Sequence, residues 1–226
     1  MPSKNSIKSY VENGYYHLYN RGVEKRIIFE DEQDYGVFLG YLKEYLSPKD
    51  EDDLRQKLGE ENLDHREKDK LTKLLRLNNF AEEISLLVYC LMPNHFHFFV
   101  KQRQAGSIDK FINSIGTRYT MYFNRKYKRV GRLYQDVYKA VLVEREYQFM
   151  YLSAYIHKQA IASQGVALRT QPSSYPEYLG LRKTLWIYPE EVLSYFSKTN
   201  PELSYRNFVE NRQELEVIKD LLIEDI

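Results

Sequence analysis

The chain has 226 residues, 43% of them hydrophobic, with 33 basic and 32 acidic side chains, so it can fill one domain with insertions or a domain and a small appendage. It contains no apolar run of about 18 residues and no basic-then-apolar amino terminus, so a cytoplasmic protein is expected, with no membrane span and no secretory leader. The single Cys90 excludes an internal disulfide and a cysteine-built zinc site.

The net charge of +1 hides a segregation. Lys101 to Gln159 carries twelve bases and four acids, a balance of +8, whereas Lys49 to Glu83 stands at −3 and Trp186 to Ile226 at −5. Within the basic stretch, Arg118, Arg125, Lys126, Lys128 and Arg132 are interleaved with Tyr119, Tyr122, Phe123 and Tyr127. Cations mixed with stackable rings suit single-stranded or hairpin nucleic acid; a solvated helix face over core aromatics gives the same pattern.

In chain order, Met1 to Glu12 is a polar lead-in, and Tyr15 to Asn20 has strand character with a turn at Asn20-Arg21-Gly22. Asp31 to Leu46 places Tyr35, Phe38, Leu39, Leu42 and Tyr45 at helical spacing after an acidic start. Ser47 to Phe80 is charge-dense and predicts a pair of short, exposed helices, an insertion spanning about 47–82. Ile84 to Val100 holds no charged residue and predicts one or two buried strands, with Pro93-Asn94 marking the bend or join. Ser107 as N-cap opens an amphipathic helix to Tyr127, Leu133 to Val143 alternates as a strand, and Glu144 to Ala160 forms a third helix. This order predicts an α+β, ferredoxin-like antiparallel sheet with helices on one face, over residues 10–180. An acidic C-terminal extension, 181–226, adds a short helix near 189–196 and another from Leu203 to Leu222.

Two features carry chemistry. Strand alternation sends His95 and His97 to one face and Phe96 and Phe98 to the other, so the imidazoles converge and can share a divalent metal; a hydrogen-bonded structural pair is the other reading. On the last core helix Tyr147, Tyr151, Tyr155 and Gln159 recur every fourth residue, setting a phenol one turn from an amide that can bind metal through its carbonyl oxygen. With 21 tyrosines in the chain, spacing does not choose Tyr155 over Tyr151. Winding turns His157 away from Gln159, which assigns it a surface or DNA contact, and His17 reads as structural.

Leu91-Met92-Pro93-Asn94-His95-Phe96-His97, followed by Tyr155-Ile156-His157, resembles the single-tyrosine HUH transposases, in particular the REP-associated tyrosine transposases. Tyr16 to Gly22, Gly131 to Asp136 and Ser173-Ser174-Tyr175 extend the resemblance. It implies Tyr155 as nucleophile, with His95, His97 and Gln159 holding Mg²⁺ or Mn²⁺. Gln159-Ala160 departs from the more frequent Asn-Pro and looks more like the small insertion-sequence members. The implied reaction is cleavage and rejoining of single-stranded or hairpin DNA through a 5′-phosphotyrosine, by a monomer or homodimer. A catalytically inactive hairpin binder, a metal-dependent phosphoesterase and a relaxase or replication initiator are the rival readings.

Overall fold

The computed structural model describes residues 10–162, 171–211 and 218. Its centre is a hairpin of β2 (Ile84–Met92) and β3 (His95–Gln102), formed where the uncharged run breaks at Pro93-Asn94. The Pro93 carbonyl accepts from Ile28 and Phe29 N–H at 2.8 and 3.0 Å, which pins the turn to the chain that follows the first strand. β1 (Tyr15–Arg21) pairs with β3, and β4 (Lys139–Val143) pairs with β1. The order is β2-β3-β1-β4 with every pair antiparallel, the ferredoxin-like sheet that the element order predicts.

α1 (Glu32–Leu46) begins at Asp31, whose side chain accepts from the Asp34 N–H, and α4 (Ser107–Lys126) begins at Gly106. Gly106 takes the cap position expected of Ser107 because the chain enters with φ 86°, a left-handed conformation that favours glycine. The Ser107 hydroxyl donates instead to Glu83 at 2.5 Å. These two connecting helices cover one face, where Phe38, Leu42, Phe111, Ile115 and Tyr119 meet Leu18, Phe96, Phe98 and Val100.

The appended helix α5 (Glu146–Ala162) lies on the opposite face, so helices occupy both faces and not the one expected. β2 explains why. A bulge between Leu86 and Val88 shifts its register, and Leu87, Val88 and Cys90 join Phe99 on the second face. A strand that is apolar on both sides needs two covers. Phe149, Leu152, Ile156 and Ala160 of α5 supply the second at helical spacing.

The insertion forms α2 (Glu51–Leu58) and α3 (His65–Arg76), neither with a buried residue. Its stem is fastened by Lys49 Nζ, which donates to the carbonyls of Leu75 and Leu77 at 3.1 and 3.0 Å. The alternating stretch from Leu133 yields a strand from Lys139 alone. Residues 133–135 instead run past the end of β1, with Val23 N–H on Leu133 O at 2.9 Å and Gln135 N–H on Arg21 O at 2.8 Å. Gly22, which bridges to Tyr134, has no room for a side chain, since a Cβ there would sit 2.3 Å from the Arg26 carbonyl oxygen of the turn that follows.

Beyond α5, residues 172–174 pair with β2, and α6 (Tyr175–Tyr178), α7 (Glu190–Leu193) and α8 (Tyr205–Asn211) follow. The acidic tail is thus an added layer: Val192, Tyr205 and Val209 pack in the α5-side cluster, and Glu191 pairs with Lys101 at 3.3 Å. Of the helix expected over Leu203 to Leu222, α8 covers part; most of the rest falls outside the described residues. Among the described residues no helix is long and apolar enough to cross a membrane.

Candidate active site

Odd-numbered residues of β1 and β3 share the face toward α5, because register partners across a ladder point the same way. Tyr19 is opposite His97, Arg21 opposite His95, and His17 opposite Phe99. The strands thereby gather five polar side chains, His17, Tyr19, Arg21, His95 and His97, on one face before helix α5 is added.

The rings of His95 and His97 are 5.0 Å apart at 88°, as the His-x-His spacing predicts. Tyr19 touches both, at 5.5 and 4.9 Å. His95 Nδ1 lies 2.6 Å from Asn94 Oδ1, and the amide of Asn94 is oriented by its Nδ2, which donates to the Lys25 carbonyl at 3.2 Å. Because Asn94 Oδ1 can only accept, Nδ1 of His95 is the donor of this pair, which in a neutral imidazole leaves Nε2 without a proton. His97 is fully buried, and its Nδ1 lies 2.9 Å from His17 Nε2.

Helix α5 brings Tyr155 over this group. Its ring is 5.7 Å from His97 and 6.4 Å from His17, edge-on to both. Tyr151, which spacing alone could not separate from Tyr155, packs 5.1 Å from Phe208 of the C-terminal layer. Gln159 is half-buried one turn beyond Tyr155 on the same helix.

His157 is fully buried, not at the surface where winding from Gln159 puts it. Its Nδ1 is 2.7 Å from the Tyr205 hydroxyl, its Nε2 2.8 Å from Ser174 Oγ, and burial drives its pKa down to about 3. Ser174 Oγ also accepts from the Tyr89 N–H at 2.9 Å, so α5 is tied to β2 two residues beyond Tyr155. A helix carrying a tyrosine at the site is fastened by an imidazole that reaches Ser174 and Tyr205 of the segment after it.

The five basic residues separate into two sets. Arg125, Lys128 and Arg132 are exposed at the end of α4 and the turn after it. That turn leads directly into the 133–135 segment alongside Arg21, and so to the end of the sheet where His95 stands. Arg118 instead pairs with Glu44 at 2.6 Å and lies 3.8 Å over the Tyr41 ring, and Lys126 bridges Asp31 and the buried Asp34 at 2.8 and 2.7 Å. Two cations not singled out by sequence share the site face: Arg21, whose Nε donates to the Tyr19 hydroxyl, and Lys139, opposite Tyr19.

His17 read only as structural, and Tyr19, Arg21 and Lys139 were not singled out as site residues, because their relevance depends on pairing partners. The parity of Tyr15-Tyr16-His17-Leu18-Tyr19 was visible in the sequence. The register that aligns it with His97 was not.

Residues 54–159 match the family model described as IS200-like transposase. Among solved structures, a REP-associated tyrosine transposase bound to a REP hairpin aligns over 82% of this chain and 97% of its own, at 7% identity and a TM-score of 0.49. A putative transposase from Deinococcus radiodurans R1 aligns over 74% of this chain and 100% of its own, at 14% identity and a TM-score of 0.34. No curated protein matches the chain. The matched span, residues 54–159, takes in His95, His97, Tyr155 and Gln159, and over that span the chain is similar to IS200-like transposases.

Proposed function

We propose that the chain cleaves and rejoins single-stranded or hairpin DNA through a covalent 5′-phosphotyrosine formed on Tyr155. The observation that carries this reading is the placement of the Tyr155 ring 5.7 Å from His97 within a family-matched transposase segment. The Tyr155 oxygen attacks phosphorus in line, a phosphorus–Oη bond forms, and the bond to the 3′ oxygen breaks. The phenol proton passes to solvent, and the departing 3′ oxygen takes one up. Because the new linkage is again a phosphodiester, attack by another 3′ hydroxyl can reverse the step without ATP.

A divalent cation fits the donor set. Nδ1 of His95 and Nδ1 of His97 are engaged by Asn94 and His17, so each imidazole would bind through Nε2, and the Gln159 carbonyl oxygen would complete three neutral ligands. Among the described residues no three His, Cys, Asp or Glu side chains are placed to hold a metal, so the set would rest on the two imidazoles, the Gln159 amide and oxygens of water or phosphate. Bound Mg²⁺ or Mn²⁺ would polarise the phosphodiester and offset its growing negative charge. Arg125, Lys128 and Arg132 would contact the DNA backbone, with Arg21 and Lys139 adding positive charge beside the scissile phosphate.

The test is a covalent-trapping gel with hairpin oligonucleotides labelled at either end, incubated with Mn²⁺ and either the native chain or Tyr155→Phe. We expect a denaturant-stable adduct that keeps the label on the 3′ side of the cut and falls by at least about a thousandfold in the variant. Hairpin binding with no adduct would leave a DNA-binding protein on a transposase fold; free cleavage products without an adduct would favour a phosphoesterase.

A further inference from the structure

We propose that His17 is the positioning residue that sets the ligand nitrogen of His97, an inference that rests on the metal-dependent reading above. His17 Nε2 and His97 Nδ1 lie 2.9 Å apart, and the two rings are nearly parallel, at 18° with centroids 5.1 Å apart. At that separation the nitrogens share one hydrogen, and a metal has no room at either. If His97 binds a cation it does so through Nε2, which in a neutral imidazole puts the proton on Nδ1. His17 is then the acceptor, and it holds His97 in the tautomer that presents an unprotonated Nε2.

The same logic governs the other ligand by a different route. Asn94 accepts from Nδ1 of His95, its neighbour in sequence, whereas His17 reaches His97 from another strand, 80 residues away in sequence. Ligand histidines ordinarily donate their second nitrogen to such an outer partner, which fixes both tautomer and ring orientation. Here one partner is supplied by the hairpin turn and the other by β1.

His17 does a second thing from the same position. Its ring meets Tyr155 edge-on at 6.4 Å and 81°, while His97 meets Tyr155 at 5.7 Å and 84°. One buried imidazole therefore touches the ligand and the nucleophile ring together. It acts through both without contacting DNA or metal. β1 lies outside the family-matched residues 54–159, so that matched span alone lacks this support for the site.

The experiment measures Mn²⁺ affinity of the full chain by electron paramagnetic resonance after chelator treatment, for the native protein, His97→Ala, His17→Leu and His17→Gln. Leucine cannot accept a hydrogen bond, and it should weaken Mn²⁺ binding by about 10–100-fold. Glutamine offers a carbonyl oxygen to the same Nδ1–H and should stay within about threefold of native. Thermal melting and hairpin affinity in chelator monitor folding of each variant. Long-range proton–nitrogen NMR of the native, metal-free chain supplies a readout that needs no variant: the proton of His97 is expected on Nδ1. Native-like Mn²⁺ affinity in a folded His17→Leu protein, an equal loss in the glutamine variant, or a His97 proton on Nε2 overturns the proposal. If the native chain binds Mn²⁺ and His97→Ala does not, such a result removes only the role of His17. If the native chain fails to bind Mn²⁺, the metal reading falls and the proposal with it.

Discussion

The two faces of the sheet are made by alternate residues of the same strands, yet they do different work. Toward α1 and α4, Phe96, Phe98 and Val100 meet Phe38, Phe111 and Ile115 in a layer that is almost entirely hydrocarbon. Toward α5, the intervening positions are His95, His97 and Phe99, and the buried polar groups there are tied into hydrogen bonds with His17, Asn94, Ser174 and Tyr205. The pleat separates stability from chemistry at a distance of one residue. A large loss of packing on one face should leave the histidines of the other face in place.

Phe98→Ala tests that separation with the largest expected effect. Phe98 is fully buried, its ring centroid 4.5 Å from that of Phe96 and 6.2 Å from that of Phe38, and truncation should cost about 3–5 kcal/mol in denaturant unfolding. Mn²⁺ affinity, measured on the folded fraction, should stay native. A fall in affinity that tracks the lost stability would show that the two faces are mechanically coupled.

Next in size is an acid dependence on the α5 face. His157 has a folded pKa of about 3, below the value of about 6.5 for a free imidazole, so the unfolded chain takes up the proton first. Its contribution is fully present above about pH 6.5 and is lost as pH falls toward 3, at up to about 1.4 kcal/mol per pH unit. Urea unfolding of native protein and His157→Gln at pH 7, 6, 5 and 4 isolates this term by difference, at pH values that flank about 6.5. Parallel curves would assign the acid sensitivity to other groups.

Ser174→Ala is a smaller cut at the same clamp. It removes the oxygen that joins His157 to the Tyr89 N–H and should cost about 1–3 kcal/mol by leaving two buried groups unsatisfied. Since α5 also carries Tyr155, adduct formation should fall more than hairpin affinity does. Equal losses in both would mean that the clamp supports the fold without aligning the helix.

What the sequence disclosed follows the same division. Short-range periodicity gave the hairpin at Pro93-Asn94, the common face of His95 and His97, and the helical stripe that carries Tyr155, since each depends on neighbours within one element. The bulge near Leu87 left no trace, because a uniformly apolar strand has no alternation to interrupt. That hidden shift is part of why β2 needs cover on both sides and why α5 departs from the expected face. His157 was misplaced for a related reason: helical winding says where a residue lies relative to Gln159, but not which side of the helix the sheet will take. The roles of His17 and Ser174 depend on contacts between elements distant in sequence, and no local pattern encodes them.

The weakest effects are expected on the basic stretch, where the structure separates residues that charge counting treats alike. Arg125, Lys128 and Arg132 are exposed, so alanine at each should lower hairpin affinity a few-fold and reduce the slope of log affinity against log salt by about 0.7–0.9 per lost phosphate contact. Lys126 already serves two carboxylates, one of them the fully buried Asp34. Lys126→Ala should therefore lower stability with little change in salt slope, because it uncouples a buried carboxylate and frees no DNA contact. Arg118→Ala should behave likewise, through its contacts with Glu44 and the Tyr41 ring. A salt slope that falls equally in all five variants would mean that bound DNA displaces Asp31 and Glu44 from their partners, making those ion pairs a resting arrangement that DNA exchanges for phosphate.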